Sequence, residues 1–142
     1  MSERQRLRSL GRLVDLQSRE VYRLTADVAE KRVTRERYVR NLTKLETLRD
    51  SSGPVAGLPA LSLNRAGYKQ AMMRMVATHR LDLSLHDSQL ALTQRELIDA
   101  ARRHEALGQV LQREHSNVLH VTKVQEQKQQ DEMASQVWWR NK

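Results

Sequence analysis

The side chains from which catalysis or metal binding could be built are few. The chain has five histidines and no cysteine, so His79, His86, His104, His115 and His120 are the nitrogen ligands on offer. A zinc hydrolase of the HExxH type places two histidines on one helix face, with a glutamate as general base. That motif does not occur, and His115 and His120 are five apart, which puts them on different faces of a helix. His79 and His86 are one heptad apart and read better as polar seam positions that fix register than as metal ligands. Neither phosphate-binding loop, GxxxxGK[ST] or GxGxxG, is present. A catalytic histidine would also need a nucleophile and a concave pocket. The residues point to a non-enzyme with no cofactor and no metal.

Charge offers more. The net charge is +8, and a basic surface suits nucleic acid, anionic lipid or an acidic protein face. The signs are interspersed without a long Lys/Arg block, which counts against nucleic acid; solvated helix faces explain the balance equally well. Arg4, Arg6, Arg8 and Arg12 crowd the start, with Glu3 the only acid among the first fourteen residues. Positive charge there opposes the helix dipole, so a contact role and a merely solvated end both stand. Trp138 and Trp139 sit in a polar tail, as a docking handle or as a frayed end.

These residues are positioned by helices. Ser51 to Gly67 reads SSGPVAGLPALSLNRAG and holds both prolines and three of the five glycines. Proline lacks an N–H and clashes with the preceding turn, and glycine leaves the helix at little energetic cost, so this stretch is expected to be a turn that no helix crosses. On either side the chain is Leu-, Ala-, Arg-, Gln- and Glu-rich, with 30% charged and 4% aromatic residues and no Phe, a coiled-coil palette. The expected fold class is all-α: two long helices in a monomeric antiparallel coiled-coil hairpin, helix 1 over about 3–50, the turn over 51–67 and helix 2 over about 68–137. Ser2 and Gln5 have capping-box spacing at the start.

In helix 1 the seam runs Leu10, Val14, Gln17, Val21, Leu24, Val28, Lys31, Arg35, Tyr38, Leu42, Leu45, in steps of four and three. In helix 2 it runs Met72, Val76, His79, Leu83, His86, Leu90, Thr93, Leu97, Ala100, His104, Leu107, Leu111, Glu114, Val118, Val121. Leu81, Leu83 and Leu85 alternate like a strand, but the long helical pattern outweighs them. Folding at mid-turn pairs residues whose numbers sum to about 117, which sets Tyr38 against His79, Arg35 against Asp82 and Lys31 against His86. Polar layers then face polar layers, as they should, because an unmatched buried charge costs several kcal/mol. Helix 1 runs out opposite about Ala106 to Gln112, leaving an overhang of roughly 25 to 30 residues that should fray without a partner.

No apolar run approaches the roughly 20 residues a bilayer span needs, so no membrane span is expected. The N-terminus lacks the apolar block of a secretory signal. With no thiols as well, a cytoplasmic protein is expected.

The chain resembles the FliJ family, the small coiled-coil component of the bacterial flagellar type III export apparatus. The likeness spans nearly the whole length: LGRLVDLQSREVYRL in the first arm, a central break, GYKQ and HRLDL after it, and QKQQDEMA near the close. The resemblance implies a stalk similar to the shaft of rotary ATPases. It would bind the export ATPase hexamer and promote its ring assembly, contact the cytoplasmic domain of the export gate, and associate with export chaperones, at the inner-membrane base of the flagellum. Carried over by position, gate contact falls on Asn41, Leu45, Leu48, Tyr68, Met72, Met75 and His79, with departures from the family pattern at Leu48, Tyr68 and Met75. For the ATPase, a slim basic tip would suit an acidic ring opening. This places contact on Arg4, Arg6, Arg8 and Arg12 and on the segment from Gln112, with Lys123, Lys128, Asp131 and Glu132. The alternatives are the equivalent stalk of a virulence injectisome, a basic coiled coil that binds nucleic acid, and a general chaperone clamp. No stripe of basic residues interleaved with aromatics supports the nucleic-acid reading.

Overall fold

The computed structural model describes residues 2–51 and 59–142, with side chains from 63 onward in the second segment. Helix α1 spans Glu3–Ser51 and helix α2 spans Pro59–Arg140, and no strand occurs among the described residues. The two pack as an antiparallel hairpin in which the second helix is the longer. The start of α1 is a capping box. The Ser2 N–H donates to Gln5 Oε1 at 3.1 Å and the Gln5 N–H donates to Ser2 Oγ at 3.3 Å, which satisfies two amide donors that no helical carbonyl can reach.

The expected turn is shorter than the 51–67 stretch; its Pro/Gly-rich part over 52–58 lies outside the described residues. Helix α2 begins at Pro59, not near 68. Proline fits the first turn of a helix, where its missing N–H would have no partner and its fixed φ is already helical. Gly67 is carried inside the helix, at a cost of about 1 kcal/mol relative to Ala. At the other end α2 continues to Arg140, three residues beyond the expected 137.

Two compact units make up the chain, residues 22–98 and residues 1–21 with 99–142. In the first, Leu24, Val28, Met72, Val76 and Leu90 are buried, joined by Thr93, whose hydroxyl donates to the Gln89 carbonyl at 3.0 Å. All are seam positions. In the second unit Ala100 is fully buried, and Leu10, Val14, Gln17, Val21, His104, Leu107, Leu111, Glu114 and Val118 are half-buried. From Leu119 every residue of α2 is exposed. Val121, expected on the seam, is 43% exposed. The overhang expected to fray is helical to Arg140.

Cross-helix contacts in the 22–98 unit show how the register is read. His86 Nε2 lies 2.8 Å from the Lys31 carbonyl oxygen, the expected pairing. Arg35 instead reaches Asp87, at 2.7 Å, and not Asp82. The Tyr38 ring lies 5.5 Å from that of His86, and not against His79. Arg80 pairs with Glu46 at 2.7 Å. The cause is side-chain direction. In a helix every Cα–Cβ bond leans toward the N-terminus, so in an antiparallel pair long side chains from either helix meet partners beyond the residue level with their own backbone. Arg35, Tyr38 and Arg80 are all displaced in that sense.

The polar layers lower stability. Gln17 Oε1 and His79 Nδ1 are buried without a hydrogen-bond partner in the protein. Exchanging such a group for an apolar one of similar shape is neutral to stabilising, so Gln17→Leu should raise the unfolding free energy, read from a urea titration, by about 1 kcal/mol. Leu24→Ala, by contrast, removes a side chain that is only 3% exposed and should cost about 2–5 kcal/mol in the same urea titration.

Candidate partner-binding surfaces

In the 22–98 unit, seven residues were expected to form one surface, and the structure divides them. Asn41 is exposed, and Leu48, Tyr68 and Met75 are 48%, 49% and 46% exposed. Leu45 is half-buried, and Met72 is only 6% exposed and packs in the seam. His79 is half-buried, with Nδ1 turned inside. Met72, with Leu45, therefore packs beneath this surface, while Asn41, Leu48, Tyr68 and Met75 are open to solvent. Two shallow grooves adjoin these residues. One is formed by Thr34, Arg37, Tyr38 and Asn41 on α1. The other is formed by Leu63, Ala66, Gly67, Lys69, Gln70 and Met73 on α2. Leu63 and Met73, 74% and 53% exposed, were missed by sequence reasoning, which followed the seam heptads alone; their signal was apolar character off the seam.

In the unit of residues 1–21 and 99–142, Arg4, Arg6, Arg8 and Arg12 are all exposed. Beside them a largely apolar groove is lined by Leu7, Arg8, Gly11, Gly108, Leu111, Gln112 and His115. A Cβ at Gly11 or Gly108 would meet nothing within 4 Å, so the groove owes its depth to two absent side chains. Lys123, Lys128, Asp131 and Glu132 are exposed along the unpacked part of α2. Trp138 and Trp139 meet edge to face with centroids 5.3 Å apart, and Lys142 Nζ sits 4.3 Å from the first ring centroid and 5.3 Å from the second. The pair keeps 56% and 66% of its surface exposed, a cation–π capped aromatic end open to solvent.

Among the described residues no group of three or more His, Cys, Asp or Glu is placed to hold a metal ion, and no helix is long and apolar enough to cross a membrane. Of the grooves described, two lie on a single helix each and one lies between α1 and α2. Two long helices that pack antiparallel, the second the longer, define an all-α coiled-coil hairpin. The family model described as Flagellar FliJ protein matches residues 5–142, and the chain belongs to that family. It is a non-enzymatic component of flagellar protein export, and its association is with that machinery. Comparison with curated proteins and with solved structures gives no match.

Proposed function

We propose that the chain acts in the cytoplasm as the stalk that links the export ATPase ring to the cytoplasmic domain of the export gate, escorting export chaperones between them. The observation that carries this reading is the packing of α2. From Leu119 to Arg140 the helix is exposed all round, and an isolated helix of this polarity is marginal in water. It is a segment built to be received by another protein. Exposed Arg4, Arg6, Arg8 and Arg12 on α1 give the same unit a positive start, which favours encounter with an acidic ring opening and makes that encounter sensitive to salt.

Gate contact is assigned to Asn41, Leu48, Tyr68 and Met75, held in place by Leu45, Met72 and His79. Peripheral attachment at the inner-membrane base would follow from the gate contact, with no span of the chain's own. The hairpin itself is tested by a variant carrying Arg35→Cys and Asp87→Cys, since those side chains pair at 2.7 Å and the chain has no other cysteine. A short bis-maleimide should bridge the two thiols within one chain. Only intermolecular products would contradict the hairpin.

The ATPase contact is tested by following hydrolysis against the concentration of added stalk. Replacing Arg4, Arg6, Arg8 and Arg12 with Gln should raise the concentration needed for half-maximal stimulation, and the salt dependence of stimulation should flatten. Unchanged salt dependence would remove the arginines from the contact.

A further inference from the structure

In the unit of residues 1–21 and 99–142, the groove between α1 and α2 combines an apolar lining with unpaired positive charge. Leu7 and Leu111, both half-buried, supply apolar surface, and Gly11 and Gly108 face the groove from the two helices. Glycine is a poor residue for a helix interior, yet both glycines lie inside their helices. Neither has the left-handed backbone that favours glycine, and a Cβ at either would meet nothing within 4 Å. The packing of the chain itself therefore does not require the two missing side chains. Their effect is outward, keeping about 520 Å³ open, more than one large side chain fills. No acid lines the groove, whereas Arg8 does, and His115 joins it from α2. Arg4 and Arg12 stand one turn to either side of Arg8. All three arginines are exposed and make no ion pair among the described residues. Exposed Asp15 lies four residues beyond Gly11, and exposed Glu105 three before Gly108. Because the helices are antiparallel, both acids fall at the end of the groove away from Arg4 and Arg8.

We propose that this groove receives an acidic amphipathic helix of the export ATPase, with apolar side chains against Leu7 and Leu111 and a carboxylate over Arg8. The inference rests on the ATPase contact proposed above and adds to it a site and the chemistry of recognition. An amphipathic helix docks by laying anchors at i, i+3 or i+4, and i+7 into an apolar groove. With glycine on both helices, the incoming backbone can approach closely. The charges then select and orient the occupant. A guanidinium with no partner holds a carboxylate through two parallel hydrogen bonds, whereas Asp15 and Glu105 repel one. The acid of the incoming helix is therefore directed toward Arg4 and Arg8. The overhang of a second copy suits the groove less well. Its Lys123, Lys128, Arg140 and Lys142 outnumber its Glu126, Asp131 and Glu132, so it would bring net positive charge to the arginines.

Gly11→Leu with Gly108→Leu fills the groove from both helices. Each new Cβ has free space and leucine is the better helix residue, so the urea midpoint should not fall. The chain concentration that gives half-maximal stimulation of the ATPase should nevertheless rise at least about tenfold, because the anchors lose their site. Stimulation at the intact chain's concentration overturns the groove as a site and leaves the ATPase contact standing. An intact chain that never stimulates the ATPase overturns that contact, and this inference with it. The occupant is identified by exchanging Gln112, on the groove, for photoreactive p-benzoylphenylalanine and irradiating the full chain with the ATPase. The cross-linked peptide should come from an ATPase helix that carries carboxylates beside its apolar residues. A basic or wholly polar peptide, a cross-link between two copies of the chain, or no cross-link at all overturns the proposal.

Discussion

A chain ending at Val118 is expected to lose its stimulation of the export ATPase entirely, returning hydrolysis to the rate of the ATPase alone. Val118 is the last half-buried seam residue, and everything after it is exposed, so the cut removes none of the seam. The truncated chain should unfold at nearly the same denaturant concentration as the intact one. It should also bind the gate domain with unchanged affinity, because the residues proposed for gate contact belong to the other compact unit. Ring assembly of the ATPase, followed by electron microscopy, should fail alongside stimulation. If the truncated chain stimulates as well as the intact one, residues 119–142 are a passive tail and the ring contact must be sought on α1. Trp138 and Trp139 fall within the removed segment. Trp138→Ala with Trp139→Ala therefore asks whether the aromatic end carries part of the loss.

The second large effect is expected at the gate surface. Asn41→Ala, Leu48→Ala, Tyr68→Ala and Met75→Ala in one chain should weaken gate binding at least about a hundredfold, since a few exposed anchors carry most of the energy of a protein contact. All four are exposed, so helicity and unfolding midpoint should hardly move. Met72→Ala is the instructive control. Met72 is 6% exposed, and truncating it should lower stability by about 2–5 kcal/mol, affecting gate binding only through the packing of its neighbours. A quadruple variant that binds normally would move the gate contact elsewhere, with the groove around Leu63 and Met73 the next surface to change.

The hairpin was legible because heptad spacing is a direct consequence of helix geometry. Leu24, Val28, Met72, Val76 and Leu90 were all placed in the seam by spacing alone, and all are buried. The capping box at Ser2 and Gln5 was equally direct, since both hydrogen bonds involve residues three apart. The start of α2 was not legible. Proline reads as a helix breaker in the interior and as a favoured first-turn residue at an N-terminus, and only knowing where the helix begins tells the two apart. The partners of Arg35 and Tyr38 were misplaced because seam arithmetic counts backbone levels, whereas long side chains lean.

The candidate surfaces were harder to read than the seam. Met72 was grouped with Tyr68 and Met75 by position, yet a few residues of helix turn it into the seam and leave them outside. Leu81, Leu85 and Leu92 look like part of one leucine-rich helix in the sequence. Their separation from Leu83 and Leu90 becomes plain only when exposure on the two faces is compared.

The linking role requires both partners to be held at once. Mixing the chain with the export ATPase and the gate domain, and weighing the complexes by mass photometry, should reveal a species that contains all three. The same species should vanish in favour of the chain–gate pair when residues 119–142 are removed, and in favour of the chain–ATPase complex when the four exposed gate residues are replaced. If the gate domain instead displaces the ATPase from the chain, the two contacts overlap and the chain cannot link them.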